Sequence, residues 1–261
     1  MEETFEYKVN KISIDGIDLS YKTAGQGHPI FVAHGWGADS NYWLGIMKEL
    51  SLKGFQMIVP DLPGFGNTPA PKEIWGAKEY ADFLCKFIKK IELKDFTIIG
   101  HSFGGGVAMI LAKECEGIKN VILCDAAVVR AERLDIRQKI AKALANWGQF
   151  ISNTPIYPIL RKILYKFAGA SDYYLANEQM REIFKKVITE DLLYATENVK
   201  QPCLIIWGEK DVATPIEDGV LLNKRINGSK LEIVPGARHN PYRSEPQKTS
   251  QIIINFLKYK I

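Results

Sequence analysis

The sequence predicts an α/β fold, in which a mostly parallel β-sheet carries helices on both faces. Two observations support this prediction. Short runs of consecutive apolar residues recur along the chain, as in strands that are buried on both faces of a parallel sheet. Segments with apolar residues at spacings of three and four, typical of amphipathic helices, separate several of these runs. Alternating strands and helices indicate a parallel sheet with helices packed on both sides.

An N-terminal hairpin precedes the core strands. Phe5–Lys22 alternates apolar and polar residues and breaks at Asp15-Gly16, which predicts two antiparallel strands joined by a turn. The apolar runs that follow are Ile30–Ala33, Gln56–Val59, Phe96–Ile99, Val121–Cys124, Leu204–Trp207 and Leu231–Val234. Helices are predicted at Tyr80–Ile91, at Val107–Cys115, after Pro215 and at Ile252–Leu257.

One interval interrupts the alternation of strands and helices. Between Asp125 and Gln201 the sequence has helical patterns but no convincing strand. We therefore predict a core domain made of residues 1–125 and 201–261, with residues 126–200 inserted as a helical cap subdomain. The inserted segment is rich in aromatic residues: Trp147, Phe150, Tyr157, Tyr165, Phe167, Tyr173, Tyr174 and Phe184. We expect most of these to pack within the cap and the rest to line a pocket that faces the sheet.

Composition excludes several classes of protein. Hydrophobic residues make up 46% and charged residues 25% of the chain, which is ordinary for a globular domain and unlike a disordered or fibrous chain. The net charge of +4 is small and the lysines are mixed with acids, so nucleic-acid binding is not expected. We also expect no signal peptide and no membrane span, because the N-terminus is polar and the apolar runs are strand-sized. These features predict a cytoplasmic protein.

The four cysteines are Cys85, Cys115, Cys124 and Cys203. They are widely spaced, and they form neither a CxxC pair nor another metal-ligand spacing. We therefore expect free, buried thiols in a reducing compartment and no metal site.

A candidate nucleophile follows the strand Phe96–Ile99. Gly100-His101-Ser102-Phe103-Gly104 has the pattern G-x-S-x-G between a predicted strand and a predicted helix, which is the setting this motif requires. The turn is tight, so small residues are needed at positions 100 and 104. Ser102 would then project its hydroxyl over the end of the sheet, beside the positive end of the following helix.

A serine hydroxyl becomes a good nucleophile only when a base takes its proton. Four histidines are available. His101 adjoins the serine on a sharp turn and points elsewhere, His34 ends the first core strand, and His28 lies in a turn before it. His239 follows the strand Leu231–Val234, in a loop at the same edge of the sheet as the other strand ends. His239 is therefore the predicted general base.

The base needs a carboxylate that fixes its tautomer and stabilises the imidazolium ion. Asp211, in the loop after the strand Leu204–Trp207, is the preferred candidate, because the order Ser102, Asp211, His239 is the order of nucleophile, acid and base typical of a G-x-S-x-G site. Two alternatives stay open. Asp125 ends the strand Val121–Cys124, and Glu209 lies two residues nearer the strand than Asp211.

An oxyanion hole would complete the site. The backbone N–H of Phe103, the residue after the nucleophile, is one predicted donor. The second is the N–H of Trp36, in the loop His34-Gly35-Trp36-Gly37 after the first core strand. The glycines of this loop let its backbone approach a substrate closely.

These blocks together resemble the α/β-hydrolase family. The resemblance also includes Asp61-Leu62-Pro63-Gly64-Phe65-Gly66, and it covers nearly the whole chain outside Asp125–Gln201. The family implies eight core strands with a helical cap inserted after the sixth. It also implies a Ser–His–Asp mechanism that uses no cofactor and no metal.

The resemblance implies a hydrolase that acts on a small-molecule substrate. The blocks HGWG and DLPGFG are similar to those of carboxylesterases that cleave methyl esters of acyl carriers. Carbon–carbon bond hydrolases share the same triad, but many carry tryptophan directly after the base, where this chain has Asn240. We therefore expect a carboxylic ester hydrolase. The alternatives are a carbon–carbon bond hydrolase and a non-catalytic ligand receptor, and the acyl group, the alcohol group and the oligomeric state stay open.

Overall fold

A computed structural model describes residues 5–129 and 178–258. The strands are β1 (Lys8–Ile14), β2 (Ile17–Ala24), β3 (His28–Ala33), β4 (Phe55–Pro60), β5 (Phe96–His101), β6 (Ile118–Cys124), β7 (Cys203–Gly208) and β8 (Lys230–Val234). The helices in these residues are α1 (Leu44–Ser51), α2 (Ala77–Lys90), α3 (Phe103–Glu114), α4 (Glu178–Thr189), α5 (Ile216–Arg225), α6 (Pro241–Ser244) and α7 (Pro246–Lys258). Short 3₁₀ helices lie at Ser40–Trp43 and Leu193–Thr196.

The strands form one 8-stranded sheet in the order β1-β2-β4-β3-β5-β6-β7-β8. β1 pairs antiparallel with β2, and β2 pairs antiparallel with β4. Every other pair is parallel, from β4 with β3 through β7 with β8. The N-terminal hairpin and all the apolar runs form strands where the sequence predicts them. The predicted fold class, a mostly parallel eight-stranded sheet of the α/β type, is confirmed.

Helices cover both faces of the sheet, which explains why the central strands are continuously apolar. In β3, Phe31 and Ala33 pack into one core, while Ile30 and Val32 pack into the core on the opposite face. The first core contains residues of α2, α3, α4 and α5, and the second contains residues of α1 and α7. Among the described residues, no helix combines the length and apolarity that crossing a bilayer requires.

The parallel strands bring their carboxyl ends to one edge of the sheet. The loops after β3, β5, β6, β7 and β8 therefore meet there. A crevice at the carboxyl ends of the strands is where open α/β sheets bind ligands. All the predicted site residues belong to these loops or to the first turn of α3.

Residues near the two ends of the predicted insertion contact each other. The backbone N–H of Leu192 donates to the carbonyl oxygen of Val128 at 3.4 Å, as insertion at one point of the fold requires. Met180, Ile183 and Val187 of α4 are buried in the core that also contains α2 and α3. The rest of the predicted cap, residues 130–177, lies outside the described residues, so the domain division stays a prediction.

Ionic contacts anchor α4 to the N-terminus of α2. Glu190, just beyond α4, accepts the backbone N–H of Ala77 at 2.8 Å. Lys186 of α4 forms an ion pair of 3.2 Å with Glu79 in the first turn of α2. Negative charge near a helix N-terminus is favourable, since the helix dipole is positive there. These contacts fix the position of α4 above the loops that follow β3 and β4.

The expectation of four free thiols is wrong for two of them. Cys85 of α2 and Cys115 at the end of α3 form a disulfide, with their Cα atoms 5.7 Å apart. Cys124 and Cys203 are free and buried, as predicted. The disulfide partners are 30 residues apart in the sequence, and only the side-by-side packing of α2 and α3 brings them together. Cysteine spacing alone could not reveal this contact.

Candidate active site

Ser102 lies on a strained turn between β5 and α3. Its backbone has φ 50° and ψ −120°, in a region that residues other than glycine rarely adopt. A side chain at Gly100 would meet the carbonyl oxygen of Gly104 at 2.5 Å, and a side chain at Gly104 would meet that of His34 at 2.5 Å. The two glycines of the motif are therefore required by close backbone approach. The turn leaves Ser102 half-buried at the N-terminus of α3.

His239 lies between Ser102 and Asp211. Its Nε2 is 3.0 Å from the Ser102 hydroxyl oxygen, and its Nδ1 is 2.7 Å from Asp211 Oδ2. The ionised carboxylate of Asp211 can only accept a hydrogen bond, so Nδ1 carries the proton and Nε2 is free to accept the hydroxyl proton. The Asp211 side chain is fully buried, whereas that of His239 is 24% exposed. This geometry would allow Ser102 to act as a nucleophile, His239 as its base and Asp211 as the acid that orients the base.

The loop around Asp211 holds the carboxylate in place. Oδ1 accepts the backbone N–H groups of Ala213 at 2.7 Å and Thr214 at 3.1 Å, and Oδ2 accepts the Thr214 hydroxyl at 2.6 Å. Burial by itself would raise the pKa of Asp211, but the hydrogen bonds from His239, Thr214 and Ala213 outweigh it and lower that pKa. Asp211 is therefore ionised at neutral pH.

Sequence reasoning missed Thr214 as a member of this site. The signal was present, because an aspartate followed three residues later by threonine is a pattern for local side-chain hydrogen bonding in a turn.

The two alternative acids occupy different positions. The Glu209 carboxylate accepts the Gly236 backbone N–H at 2.7 Å on the exposed side of the loop. Asp125 is fully buried, and its Oδ1 accepts the Gly208 backbone N–H at 2.8 Å. The side chains of Asp125, Asp211 and His239 have polar atoms that all lie within 4.8 Å of one another. The hydrogen bonds of these groups account for the cluster, and we assign no metal ion to it.

Burial raises the pKa of Asp125 to about 9, although the hydrogen bond from Gly208 opposes the shift, and the neighbouring charge of Asp211 raises the pKa further. Asp125 is therefore neutral at physiological pH. A neutral carboxyl group cannot stabilise an imidazolium ion as a carboxylate can.

The remaining histidines have other hydrogen-bond partners. His101 points away from the serine hydroxyl, and its Nε2 donates to the backbone carbonyl oxygen of His239 at 2.8 Å. His34 Nε2 accepts the Leu62 backbone N–H at 2.9 Å, and its Nδ1 donates to the Gly35 carbonyl oxygen at 2.8 Å. His28 contacts the Thr97 hydroxyl. Burial lowers the pKa of His101 to about 3 and also lowers the pKa of His34.

The predicted oxyanion loop lies next to the nucleophile. A side chain at Gly35 would meet His101 Nδ1 at 2.6 Å and the Ser102 Cβ at 3.1 Å, so glycine allows this close approach without displacing its neighbours. The Ala38 N–H donates to the Gly35 carbonyl oxygen at 3.2 Å, which closes a turn around Trp36. Phe103 is the first residue of α3, where backbone N–H groups have no partner within the helix. The structure thus brings both predicted amide-bearing residues to the nucleophile turn, but their oxyanion role stays a proposal.

Aromatic side chains form a wall around the loop that carries Trp36. The Trp36 ring contacts Phe65, Phe103 and Phe184 with ring centroids 4.9, 5.8 and 5.1 Å apart. Phe184 lies on α4, in the predicted cap, while the other predicted cap aromatics lie outside the described residues. Phe65 belongs to the DLPGFG block, and sequence reasoning assigned it no role. We call Trp36, Phe65, Phe103 and Phe184 the aromatic wall.

Comparisons with known proteins place the chain in a family. Residues 28–155 match the model of the alpha/beta hydrolase fold. A 2-hydroxy-6-oxo-2,4-heptadienoate hydrolase from Pseudomonas putida is 25% identical, over 86% of this chain and 87% of that protein. A pimeloyl-[acyl-carrier protein] methyl ester esterase from Aeromonas hydrophila is also 25% identical, over 92% of this chain and 100% of that protein.

A solved structure agrees with these sequence matches. The esterase EaEST from Exiguobacterium antarcticum superposes with a TM-score of 0.74 at 23% identity, over 96% of this chain and 100% of that one. At this identity the likeness concerns the fold. The protein belongs to the α/β-hydrolase fold family, whose members named here are hydrolases.

Proposed function

We propose that the protein is a serine hydrolase that cleaves carboxylic esters of small molecules. The observation that carries the proposal is the continuous hydrogen-bonded chain from the Ser102 hydroxyl through His239 to the buried Asp211 carboxylate, with links of 3.0 and 2.7 Å. The Asp211 carboxyl group has the ionised form that its role needs, because its hydrogen bonds lower its pKa. The relative from Aeromonas hydrophila is named as a methyl ester esterase, which supports the same class of substrate.

Acylation begins when the Ser102 oxygen attacks the ester carbonyl carbon and its proton moves to His239 Nε2. The imidazolium ion that forms is stabilised by the Asp211 carboxylate. The carbonyl oxygen becomes negative, and the N–H groups of Trp36 and Phe103, together with the positive end of α3, would stabilise it. His239 then gives the proton to the departing alcohol oxygen, which leaves an acyl group on Ser102.

Deacylation repeats these steps with water as the nucleophile. His239 takes a proton from the water molecule, the water oxygen attacks the acyl carbon, and Ser102 leaves with the proton returned by His239. Serine, histidine, aspartate and backbone amides supply every group that the cycle uses. The mechanism therefore requires no cofactor.

The inserted segment, residues 126–200, is proposed as a lid that shapes the substrate pocket. Its described helix α4 contributes Phe184 to the aromatic wall, whereas Ser102, Asp211, His239 and both amides belong to loops of the core. An apolar wall beside the oxyanion loop favours an apolar acyl or alcohol group. Chemistry and substrate choice would then lie in different parts of the chain.

The proposal is tested by labelling with a fluorophosphonate, which reacts with an activated serine. We expect the protein to be labelled stoichiometrically and to hydrolyse p-nitrophenyl esters, with a panel of acyl chain lengths identifying the preferred group. A protein that is not labelled, yet is folded by circular dichroism, would be a ligand receptor that has kept the fold.

Carbon–carbon bond hydrolysis is the second candidate, supported by the similarity to the Pseudomonas putida hydrolase. Since the same triad would be labelled in either case, the discriminating assay compares esters with a vinylogous 1,5-diketone as substrates. Faster turnover of the diketone would favour this second candidate.

A further inference from the structure

Two buried aspartates lie side by side behind the proposed base. Asp211 follows β7 and contacts His239, while Asp125 follows the neighbouring strand β6, and a carboxyl oxygen of Asp125 lies within 4.8 Å of one of Asp211. A hydrogen bond between two carboxyl groups needs a proton, because two carboxylates have only acceptors. One of the two groups must therefore be neutral for this contact to be favourable.

The surrounding donors determine which carboxyl group holds the proton. Asp211 accepts from the His239 ring, the Thr214 hydroxyl and the backbone N–H groups of Ala213 and Thr214. Asp125 accepts one backbone N–H, from Gly208, and contacts the weak thiol donor of Cys124 at 3.6 Å. Donors stabilise the ionised form, so the negative charge belongs on Asp211 and the proton on Asp125.

We propose that Asp125 is a positioning residue, whose neutral carboxyl group donates a hydrogen bond to the Asp211 carboxylate and holds it against His239. The inference rests on the proposed function, since it assigns a second aspartate to the same site. Asp125 does not touch the substrate. It acts by holding the Asp211 carboxylate in place, and Asp211 in turn orients His239. The other oxygen of Asp125 accepts the Gly208 N–H, which links the end of β6 to the end of β7.

The groups that face Asp125 support a neutral carboxyl. Asp211 and His239 face it from the loops after β7 and β8. Cys124 faces it from β6, and Tyr242 of α6 lies close enough to interact with it electrostatically. Burial raises the pKa of Cys124 and of Tyr242, so both are uncharged at neutral pH. Asp211 is thus the negative neighbour, and the pKa of Asp125, raised by burial, is about 9.

The backbone conformation of Asp125 is one that asparagine can also adopt. Its φ is +44°, in the left-handed region that asparagine and aspartate tolerate better than most residues. Asparagine has the shape of a neutral aspartic acid, with an NH₂ that can donate to Asp211 and an oxygen that can accept from Gly208. Asp125→Asn therefore preserves the proposed hydrogen bonds, whereas Asp125→Ala removes them.

The experiment compares wild-type protein, Asp125→Asn and Asp125→Ala by ester kcat/KM and by the rate of fluorophosphonate labelling, from pH 6 to 10. At pH 7.5 Asp125→Asn should stay within about threefold of wild type, and Asp125→Ala should lose about ten- to hundredfold, the range for losing a hydrogen bond to a charged group. Above about pH 9 the wild-type rate should fall as Asp125 ionises, because the donor is lost and two adjacent carboxylates repel. Asp125→Asn should show no such fall.

A stability measurement tests whether the Asp125 carboxyl group is protonated, without depending on catalysis. Because the folded-state pKa of Asp125 is raised, its contribution to stability is present in full below the unfolded value and is lost as pH rises toward about 9. The urea midpoint of Asp125→Asn relative to wild type should therefore increase from pH 5 to pH 9. Asp61→Asn is the matched control, because both oxygens of that buried aspartate accept backbone N–H groups, from Ser40 and Asn67. The midpoint of Asp61→Asn should be lower than that of wild type, since an amide nitrogen would face an N–H donor.

The outcomes separate the two proposals. A hundredfold loss in Asp125→Asn at pH 7.5 would mean that an ionised Asp125 is required, and it would overturn the inference. A urea midpoint difference that does not change with pH, or an alkaline fall shared by Asp125→Asn, would overturn it as well. If Asp125→Ala does not fold, the comparison of Asp125→Asn with wild type still tests the inference. Absence of labelling in wild type would refute the proposed function, while the stability series would still test the neutral carboxyl.

Discussion

The two sides of the site around Ser102 differ in the groups that form them. On one side, hydrogen bonds join Ser102, His239 and Asp211, and the buried carboxyl group of Asp125 lies beside that of Asp211. We call this the acid–base side. On the other side, the predicted donors are backbone amides, and the side chains around them form the aromatic wall.

The difference teaches how each side tolerates change. A buried charge that loses its partner is costly, because desolvation is no longer compensated. An apolar contact that shrinks changes the energy in small steps, at about 1–3 kcal/mol per methylene in a hydrophobic pocket. We therefore expect substitutions on the acid–base side to act steeply on rate or stability, and substitutions on the aromatic wall to act gradually on substrate preference.

Ser102→Ala is expected to have the largest effect, because it removes the hydroxyl oxygen that is the proposed nucleophile. Triad removals in serine hydrolases cost on the order of 10⁶ in kcat. Since Ser102 is half-buried on a turn and the change removes one hydroxyl, circular dichroism and the thermal midpoint should stay near wild type. Ester hydrolysis and fluorophosphonate labelling measure the loss. More than roughly a hundredth of wild-type activity in the variant would mean that the nucleophile is another residue.

Asp211→Asn tests the acid–base side directly. The amide would present a donor or a weaker acceptor to His239 Nδ1, which destabilises the tautomer that leaves Nε2 free. We expect a loss of about 10³–10⁴ in kcat. The matched change, Asp125→Asn, should cost a few-fold at most, although both residues are buried aspartates in the same cluster. The reverse ranking in steady-state kinetics would move the acid to the end of β6.

The same contrast explains what the sequence could and could not predict. On the acid–base side, the proximity of Ser102, Asp211 and His239 could be predicted because a serine nucleophile would demand those residue types, and strand ends place them at one edge of the sheet. On the other side any residue except proline can supply a backbone N–H, so the glycines of His34–Gly37 were the usable signal. The fold was predictable because both faces of the sheet are covered, which makes the core strands apolar runs.

Features that depend on proximity between distant elements were not predictable. The Cys85–Cys115 disulfide follows from the packing of α2 against α3, and the contact of Phe184 with Trp36 follows from where α4 docks. The neutral state of Asp125 depends on complete burial beside a second carboxyl group. Residue type alone made Asp125 a rival to Asp211, and only its surroundings distinguish the two.

His101 tests whether a histidine buried beside the acid–base side can accept a proton in the folded protein. This residue is 3% exposed, and burial lowers its pKa to about 3. The unfolded chain therefore takes up a proton below about pH 6.5 that the folded protein refuses, so stability is lost as pH falls. From pH 6.5 to 5 the contribution of His101 is about 2 kcal/mol.

The measurement is the free energy of unfolding in urea at both pH values. His101→Gln keeps an amide donor for the His239 carbonyl oxygen and cannot titrate, so its stability should fall less on acidification than that of wild type. The pKa values of His28 and His34 are also lowered by burial, and both histidines remain in the variant, so the difference isolates His101. Equal losses in the two proteins would show that His101 can accept a proton in the folded state.

The smallest effect is expected at the aromatic wall, and it should concern preference more than rate. Phe184 of α4 contacts Trp36, whose backbone N–H is a proposed oxyanion donor, but the Phe184 side chain supplies no polar group to the reaction. Phe184→Ala should therefore shift relative kcat/KM across a series of ester chain lengths, by about tenfold for the most affected ester, within the range for apolar pocket contacts. Phe184→Leu is the control that keeps apolar bulk, and it should shift the preference less.

Labelling by a small phosphonate distinguishes a wall from a catalytic group at this position. A small probe fills little of the pocket and depends on the serine, the base and the oxyanion donors, none of which is changed in Phe184→Ala. Its labelling rate should stay within about tenfold of wild type, because oxyanion donors and base are unaltered. If the folded variant instead lost labelling by orders of magnitude, Phe184 would be needed to hold the Trp36 loop in its reactive position. The two sides of the site would then share one function, since an apolar contact on α4 would control the chemistry that the acid–base side performs.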